Sequence, residues 1–299
     1  MPRTLTSTST STKGLHVLHL HNIIIAAESP STWPSVRHLR LSQVSVPLHF
    51  VHTFPAISEL CLDHCQFQAP SNQQTNSRLC WDLNSLDYHQ TTFADLVNCS
   101  VWCPVHWLDV KFSLMPDPWP DTQRKEMMPG PWLDTVQWEA MMPAVVSLHT
   151  QYYQFTTSLK SLAETLTNSA WKPRCIELEC DETSGQTHLR LVRYMNIAAE
   201  ILTQLPFICL EICVQTQHCE LAIAGGMASF ELPELLPQSL RYVSLSVQFP
   251  KYRYTCYWYK VMAAGGSGKR VLVQMETRMG ESLREQMRTP GCDFDALMA

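Results

Sequence analysis

The chain has 299 residues, with 22 Lys and Arg against 27 Asp and Glu and 16% charged residues in all. A formal net charge of −5 gives no support to the basic stripe that nucleic-acid binding usually leaves, so no nucleic-acid partner is expected. The start, Met1 to Lys13, is mostly Ser and Thr with no apolar core; it is neither a secretory signal nor a membrane span and reads as a disordered tail. The expected location is cytoplasmic or nuclear, away from membranes, with the twelve cysteines kept as thiols in a reducing compartment.

From Leu15 one apolar pattern occurs three times: Leu15, Leu18, Leu20, Ile23 and Ile25, then Val36, Leu39, Leu41, Val44 and Val46, then Ile57, Leu60, Leu62, Cys65 and Phe67. The interval is constant at twenty-one residues (39 − 18 = 21; 60 − 39 = 21). In a strand, side chains alternate between faces, so the leucine pair two apart in each unit points one way. A lone strand cannot bury that face. Stacking the next unit beside it gives a parallel strand pair and continues the core.

Beyond Phe67 the pattern stretches. Leu83, Leu86 and Tyr88 fit the first part of the unit, as do Val105, Leu108 and Val110, with further strands expected at Val145 and Leu148, at Ile176 and Leu178, at Phe207, Leu210 and Ile212, and at Leu240, Val243 and Leu245. The later strands are 34 and 33 residues apart (212 − 178 = 34; 245 − 212 = 33), room for a helix in each return. Helical spacing appears at Leu159, Leu162, Ala163 and Leu166, and again at Leu191, Val192, Met195, Ala198, Ala199, Leu202 and Leu205; Thr91 to Val97 supplies one turn or two.

Between about 115 and 143 the rhythm breaks at Pro116, Pro118, Pro120, Pro129, Pro131 and Pro143, interleaved with Trp119, Trp132 and Trp138. Prolines this dense oppose regular helix or interior strand, so the segment reads as an inserted loop whose tryptophans pack back on the body. Near the end, a helix is expected from Tyr254 to Ala264, a glycine-rich turn after it, and a strand from Val271 to Met275.

The unit L-x-x-L-x-L-x-x-[N/C]-x-L resembles a leucine-rich repeat. That resemblance implies an α/β leucine-rich repeat solenoid, a right-handed β-α superhelix with parallel strands on the concave face. It fills residues 14–299 as one domain interrupted by the Pro/Trp-rich insertion. The strings WPSVRHLRLSQVSV, FPAISELCLDHCQF and LPQSLRYVSLSV further resemble the degenerate repeats of fungal F-box proteins. This likeness implies the substrate-receptor role of an SCF-type ubiquitin ligase, in which repeats hold a target while an N-terminal F-box docks on the adaptor. The first repeat begins at Leu15 and no F-box is evident ahead of it, whether lost, truncated or never part of the protein, so adaptor binding is not carried over.

Motifs for chemistry fare less well. Ala263 to Arg270 looks like a phosphate loop, but it has Ala263 in place of the first glycine and Arg270 where Ser or Thr should hold magnesium. His19 and His21 share a strand face with Arg40 beside His19, which disfavours a cation; His49 and His52 have no matching pair. Cys61 with Cys65, Cys99 with Cys103 and Cys209 with Cys213 lack a second pair at finger-like spacing. Glu177 and Glu179 share a strand face without an evident pocket. No catalytic, metal or cofactor residue is therefore assigned, and no cofactor is expected.

The residues between the buried leucines point to the other face of the sheet. They include His19, His21, His38, Arg40, Glu59, Asp63, Asp87, His89, Trp107, Asp109, Lys111, Glu177, Glu179, Glu211 and Tyr242. This face, titratable at its N-terminal end and acidic further on, is the candidate protein-binding surface, matched to a basic or mixed-charge partner. The expected function is a non-catalytic protein–protein interaction module. The alternative is an enzyme or cofactor binder with a site in the C-terminal region from Tyr252 onward.

Overall fold

A computed structural model describes residues 3–5, 14–25, 32–47, 53–68, 81–90, 103–112, 135–151, 154–182, 187–216, 236–248, 254–263 and 270–298. The twenty-one-residue interval becomes strand spacing. Strands β2 (Val17–His21), β4 (His38–Ser42) and β6 (Glu59–Asp63) pair in parallel, with Leu18, Leu39 and Leu60 in one row and Leu20, Leu41 and Leu62 in another. One residue past each strand the backbone turns left-handed, at Asn22 (φ 51°), Gln43 (φ 55°) and His64 (φ 51°). Each of these N–H groups donates onto the neighbouring unit: Asn22 to the Ser42 carbonyl (3.0 Å), Gln43 to Asp63 (2.8 Å) and His64 to His89 (2.9 Å).

That turn swings the chain into a second, short strand in each unit. With β1 (Arg3–Leu5), the strands β3 (Ile23–Ile25), β5 (Ser45–Pro47) and β7 (Gln66–Gln68) form a small parallel sheet in the order β1-β3-β5-β7. Residues 3–5 thus belong to a sheet where a disordered tail was expected; the rest of 1–13 lies outside the described residues. Leu39, Leu41, Leu60 and Leu62 are almost wholly buried together with Val44 and Cys65, which open the return segments. Trp33 and Phe54 stack 6.2 Å apart, again one interval from each other.

The main sheet continues through β8 (Leu83–Gln90), β9 (Val105–Phe112), β10 (Val145–Gln151), β11 (Cys175–Glu182), β12 (Cys209–Thr216), β13 (Tyr242–Gln248), β14 (Tyr254–Ala263) and β15 (Arg270–Met275). It is a single long sheet of 11 strands in sequence order, parallel from β2 to β13 and antiparallel at β14 and β15. The chain is an α/β protein with a repeat-like β-α arrangement. Helices α2 (Phe155–Asn168) and α3 (Thr187–Leu202) lie between successive strands, as their spacing predicts. Leu159, Leu162, Leu166, Met195, Ala198 and Leu202 join Leu148, Leu178 and Ile212 in one core.

Two expectations need correction. Tyr254 to Ala263 is strand β14, not a helix. Its residues Cys256, Trp258 and Tyr259 are buried against both faces of the sheet, and that two-sided burial overrides the helical reading. The glycine-rich run at 264–269 lies outside the described residues, but it joins two antiparallel strands, whereas a phosphate loop leads into a helix. Within the Pro/Trp-rich stretch, Thr135–Met141 forms helix α1 because its prolines lie before and after this run. Trp138 there is wholly buried, with its indole N–H donating to the Trp171 carbonyl (3.3 Å), so it packs back as expected. Trp119, Trp132 and Thr91 to Val97 lie outside the described residues.

Candidate functional site

The face of the sheet away from α2 and α3 is built of three rows that run across the strands. The parallel register puts His38, Glu59, Ser85, Trp107, Val145, Cys175, Cys209 and Tyr242 in the first row. The second runs His19, Arg40, Cys61, Asp87, Asp109, Ser147, Glu177, Glu211 and Ser244, and the third His21, Ser42, Asp63, His89, Lys111, His149, Glu179, Cys213 and Ser246. All fifteen residues singled out from the sequence fall on these rows. The alternation of a strand, applied to the leucines, placed them.

What the sequence did not anticipate is a cover. After β15 come α4 (Thr277–Arg288) and α5 (Phe294–Met298), and α4 lies on this face. Gly280, Leu283 and Met287 are its buried residues. They meet Val145, Cys175, Cys209, Tyr242, Cys256 and Trp258 in a second core on the side of the sheet away from α2 and α3. Tyr242, Glu177 and Glu211, all expected at a binding surface, are consequently buried under this cover; Asp109, expected there too, is buried beside His149.

The helix answers the acidic row with arginine. Arg288 Nε and Nη2 donate to Glu177 Oε1 (2.9 Å) and Oε2 (2.7 Å), and its guanidinium lies 4.3 Å from the Trp107 ring centroid. One turn back, Arg284 Nε and Nη2 both reach Glu211 Oε2 (2.8 and 2.7 Å), with Trp258 under the guanidinium at 5.2 Å. Glu211 Oε1 is buried without a hydrogen-bond partner. Burial, then the charge of Glu177, pushes the Glu211 carboxyl up from the ordinary carboxylate range. Ser147 donates to Glu177, and Trp107 Nε1 donates to Ser147 (2.7 Å).

The N-terminal half of the rows has no arginine from α4. His149 sits there between two carboxylates, with Nε2 2.8 Å from Asp109 and Nδ1 2.8 Å from Glu179. A carboxylate at each ring nitrogen favours the doubly protonated, charged ring. Burial opposes that charge, but the hydrogen bonds to Asp109 and Glu179 outweigh it and raise His149 to about 9. Asp87, one strand from Asp109, is raised to about 6 by burial and then by the charge of Asp109. Lys111 approaches Asp109 at 3.8 Å. Nearer the start, His38 pairs with Glu59 (2.6 Å) and Ser42 donates to Asp63 (2.8 Å). Burial alone would raise the Asp63 carboxyl, yet hydrogen bonds from His64 and Ser42 hold it below its usual value. His19, His21 and Arg40 are exposed.

Cys175, Cys209 and Glu211 place three potential ligand atoms within 4.8 Å of one another. A cation there would face the Arg284 guanidinium, and the thiols resist ionisation: Cys175 is raised by its hydrogen bond with Cys209 and by burial, Cys209 by burial. At the foot of β9 to β11, His106 Nε2 meets the Met287 carbonyl (2.9 Å). Beside it an open cleft of about 530 Å³ is lined by Asp82, Arg174, Cys292 and Asp293 among others.

Sequence reasoning missed Arg284, Arg288, Gly280 and His149. The signal for the first three was present: Gly280, Leu283, Arg284, Met287 and Arg288 recur at steps of three and one, one face of a helix. His149 follows Ser147 by the same two-residue step used for the leucines. Among the described residues no helix is long and apolar enough to cross a membrane. No protein-family model, curated protein or solved structure matches the chain.

Proposed function

We propose that this chain is a leucine-rich repeat solenoid with its parallel strands on the concave face, and that it acts as a non-catalytic protein–protein interaction module. It resembles the substrate-recognition repeats of F-box proteins. The observation that carries the reading is the run of adjoining, solvent-reaching charged and polar residues on β4, β6, β8 and β9: His38, Arg40, Glu59, Asp63, Asp87, His89 and Lys111. An extended row of this kind, one residue per strand in each row, suits a long, shallow protein contact better than a small-molecule pocket.

The partner chemistry follows from charge. Asp87 and Asp109 are neighbours in one row, and among the described residues His149 and Lys111 are the cations that oppose them. A partner that brings Arg or Lys to Asp63 and Asp87 relieves that repulsion. Affinity capture on the full chain tests this, with D63A/D87A beside the unaltered protein. A specific set of captured proteins lost on the double substitution supports the module. Capture that is indifferent to both residues refutes it.

A further inference from the structure

Glu177 and Glu211 lie side by side on β11 and β12, and the guanidinium paired with each lies over a tryptophan, Trp107 for the one and Trp258 for the other. A buried carboxylate next to an aromatic face is a receptor for a guanidinium, which pairs with the one and stacks on the other. Two such receptors on adjacent strands match two arginines four positions apart on a helix, because i and i+4 share a helix face. In this chain Arg284 and Arg288 fill them.

The fit is incomplete. Arg284 places Nε and Nη2 on the one oxygen Glu211 Oε2 and turns Nη1 to Glu281 Oε2 (2.7 Å), and Glu211 Oε1 stays buried with no hydrogen-bond partner. Arg288 meets Glu177 oxygen for oxygen. Beyond these pairs α4 is held by Gly280, Leu283 and Met287 in the second core and by the contact of His106 Nε2 with the Met287 carbonyl (2.9 Å); the Glu276 side chain before it makes no capping bond. At the rim of the site Trp107 is only half-buried, and the rows continue from there onto the uncovered strands.

We infer that α4 is a resident pseudo-ligand, and that the Glu177/Glu211 site beneath it accepts, in exchange for α4, a helix of a partner protein bearing two arginines four residues apart. This rests on the interaction-module reading above. A donor aimed at the unpaired Glu211 oxygen is the advantage such a helix has over α4. The partner then gains access to the whole face, covered and uncovered rows together, and the C-terminal arm sets its threshold.

Two measurements decide the matter. In the unaltered full chain, native-state hydrogen exchange at Leu283 and Met287 is expected to be at least about tenfold faster than at Leu178 and Ile212, since an arm that opens alone does so below the global barrier. Equal protection overturns the inference, because the arm then leaves only when the protein unfolds. In the second, a labelled peptide of this chain's residues 276–298 is added to the full chain carrying R284A/R288A. Binding about tenfold tighter than to the unaltered chain, and lost again with E177Q/E211Q, supports the exchange. No binding to the R284A/R288A chain overturns it. If that variant does not fold, the exchange measurement on the unaltered chain decides alone. Capture through Asp63 and Asp87 is independent of the arm, so failure here leaves the module standing, and failure there leaves the arm's opening measurable.

Discussion

Arg288 and Glu177 meet as two planar forks, Nε to Oε1 at 2.9 Å and Nη2 to Oε2 at 2.7 Å, and so tie the last long helix to a strand 111 positions earlier. Glu177 is nearly buried while Arg288 keeps about a third of its side chain in solvent, so the carboxylate bears most of the desolvation. Arg288→Met strands that carboxylate and is expected to lower stability by about 2–3 kcal/mol. Arg288→Lys keeps the charge but loses the fork, at about 1 kcal/mol. Glu177→Gln in the Met background recovers part of the loss. Urea unfolding of the unaltered chain, Arg288→Met, Glu177→Gln and the double variant reads the coupling; strict additivity contradicts it.

The docking of α4 tolerates no side chain at Gly280. A Cβ there would stand 1.9 Å from Cγ of Trp258, and Trp258 is wholly buried with no room to retreat. Alanine is the better helix former, worth about 1 kcal/mol in an exposed helix. The clash outweighs that. Gly280→Ala is expected to destabilise the protein by about 1–3 kcal/mol and to shift Trp258 emission as α4 lifts. An unchanged melting temperature with unchanged fluorescence would count against this packing.

His149 makes stability depend on pH. Its folded value of about 9 lies above the ordinary 6.5, so the folded protein holds a proton that the unfolded chain releases. Its contribution is fully present below about 6.5 and is lost as pH rises through 9. It amounts to about 3 kcal/mol at most, less the share that solvent screens at this partly exposed ring. Asp87, raised to about 6, acts in a lower window: its desolvation begins to cost stability above 3.8 and does so in full above 6. Both groups therefore favour mild acid. Unfolding free energies at pH 6 and pH 9.5 should differ in the native chain, and the difference should shrink in His149→Gln.

The repeats were legible because one physical demand, burying a leucine pair on every strand, recurs at a fixed interval, and the alternation that buries Leu39 and Leu41 also exposes Arg40. The same argument fails at Tyr254 to Ala263. There the strand is buried on both sides, Trp258 under α4 and Tyr259 in the main core, so no alternation survives to announce it. The covering of Glu177, Glu211 and Tyr242 was illegible for another reason: it depends on a C-terminal arm whose bonds to these residues span 55 to 111 positions of the chain, and local pattern carries no information about where a helix docks.

The turn after each of the first three strands offers a local test. Asn22, Gln43 and His64 hold φ near 50°, where a Cβ is strained and glycine is not. Asparagine bears that conformation best of the three. Gln43 is exposed, so replacing it changes little but the backbone. Gln43→Gly is expected to be neutral or to stabilise by up to about 1 kcal/mol, the relief of strain set against the entropy of a freer unfolded chain. Gln43→Val should cost about 1–2 kcal/mol, since a β-branched residue fits this region worst. Equal stability of the two variants would place the turn elsewhere.

The N-terminal edge differs from the strands behind it. Leu39 and Leu41 are buried to 2% or less, whereas Leu18 and Leu20 on β2 are only half-buried and Val17 remains 50% exposed. β2 is the last strand of the main sheet on that side, while the small sheet carries β1 one position further. Among the described residues, the outward N–H and C=O groups of β2 therefore have no neighbouring strand in the sheet. An edge with half its apolar burial opens at lower free energy than the interior. Amides of Leu18 and Leu20 should exchange faster than those of Leu39 and Leu41, and Leu41→Ala should cost about 3 kcal/mol where Leu20→Ala costs about 1. Equal protection along the four leucines would mean that something on that side covers the edge as well as β4 covers β2.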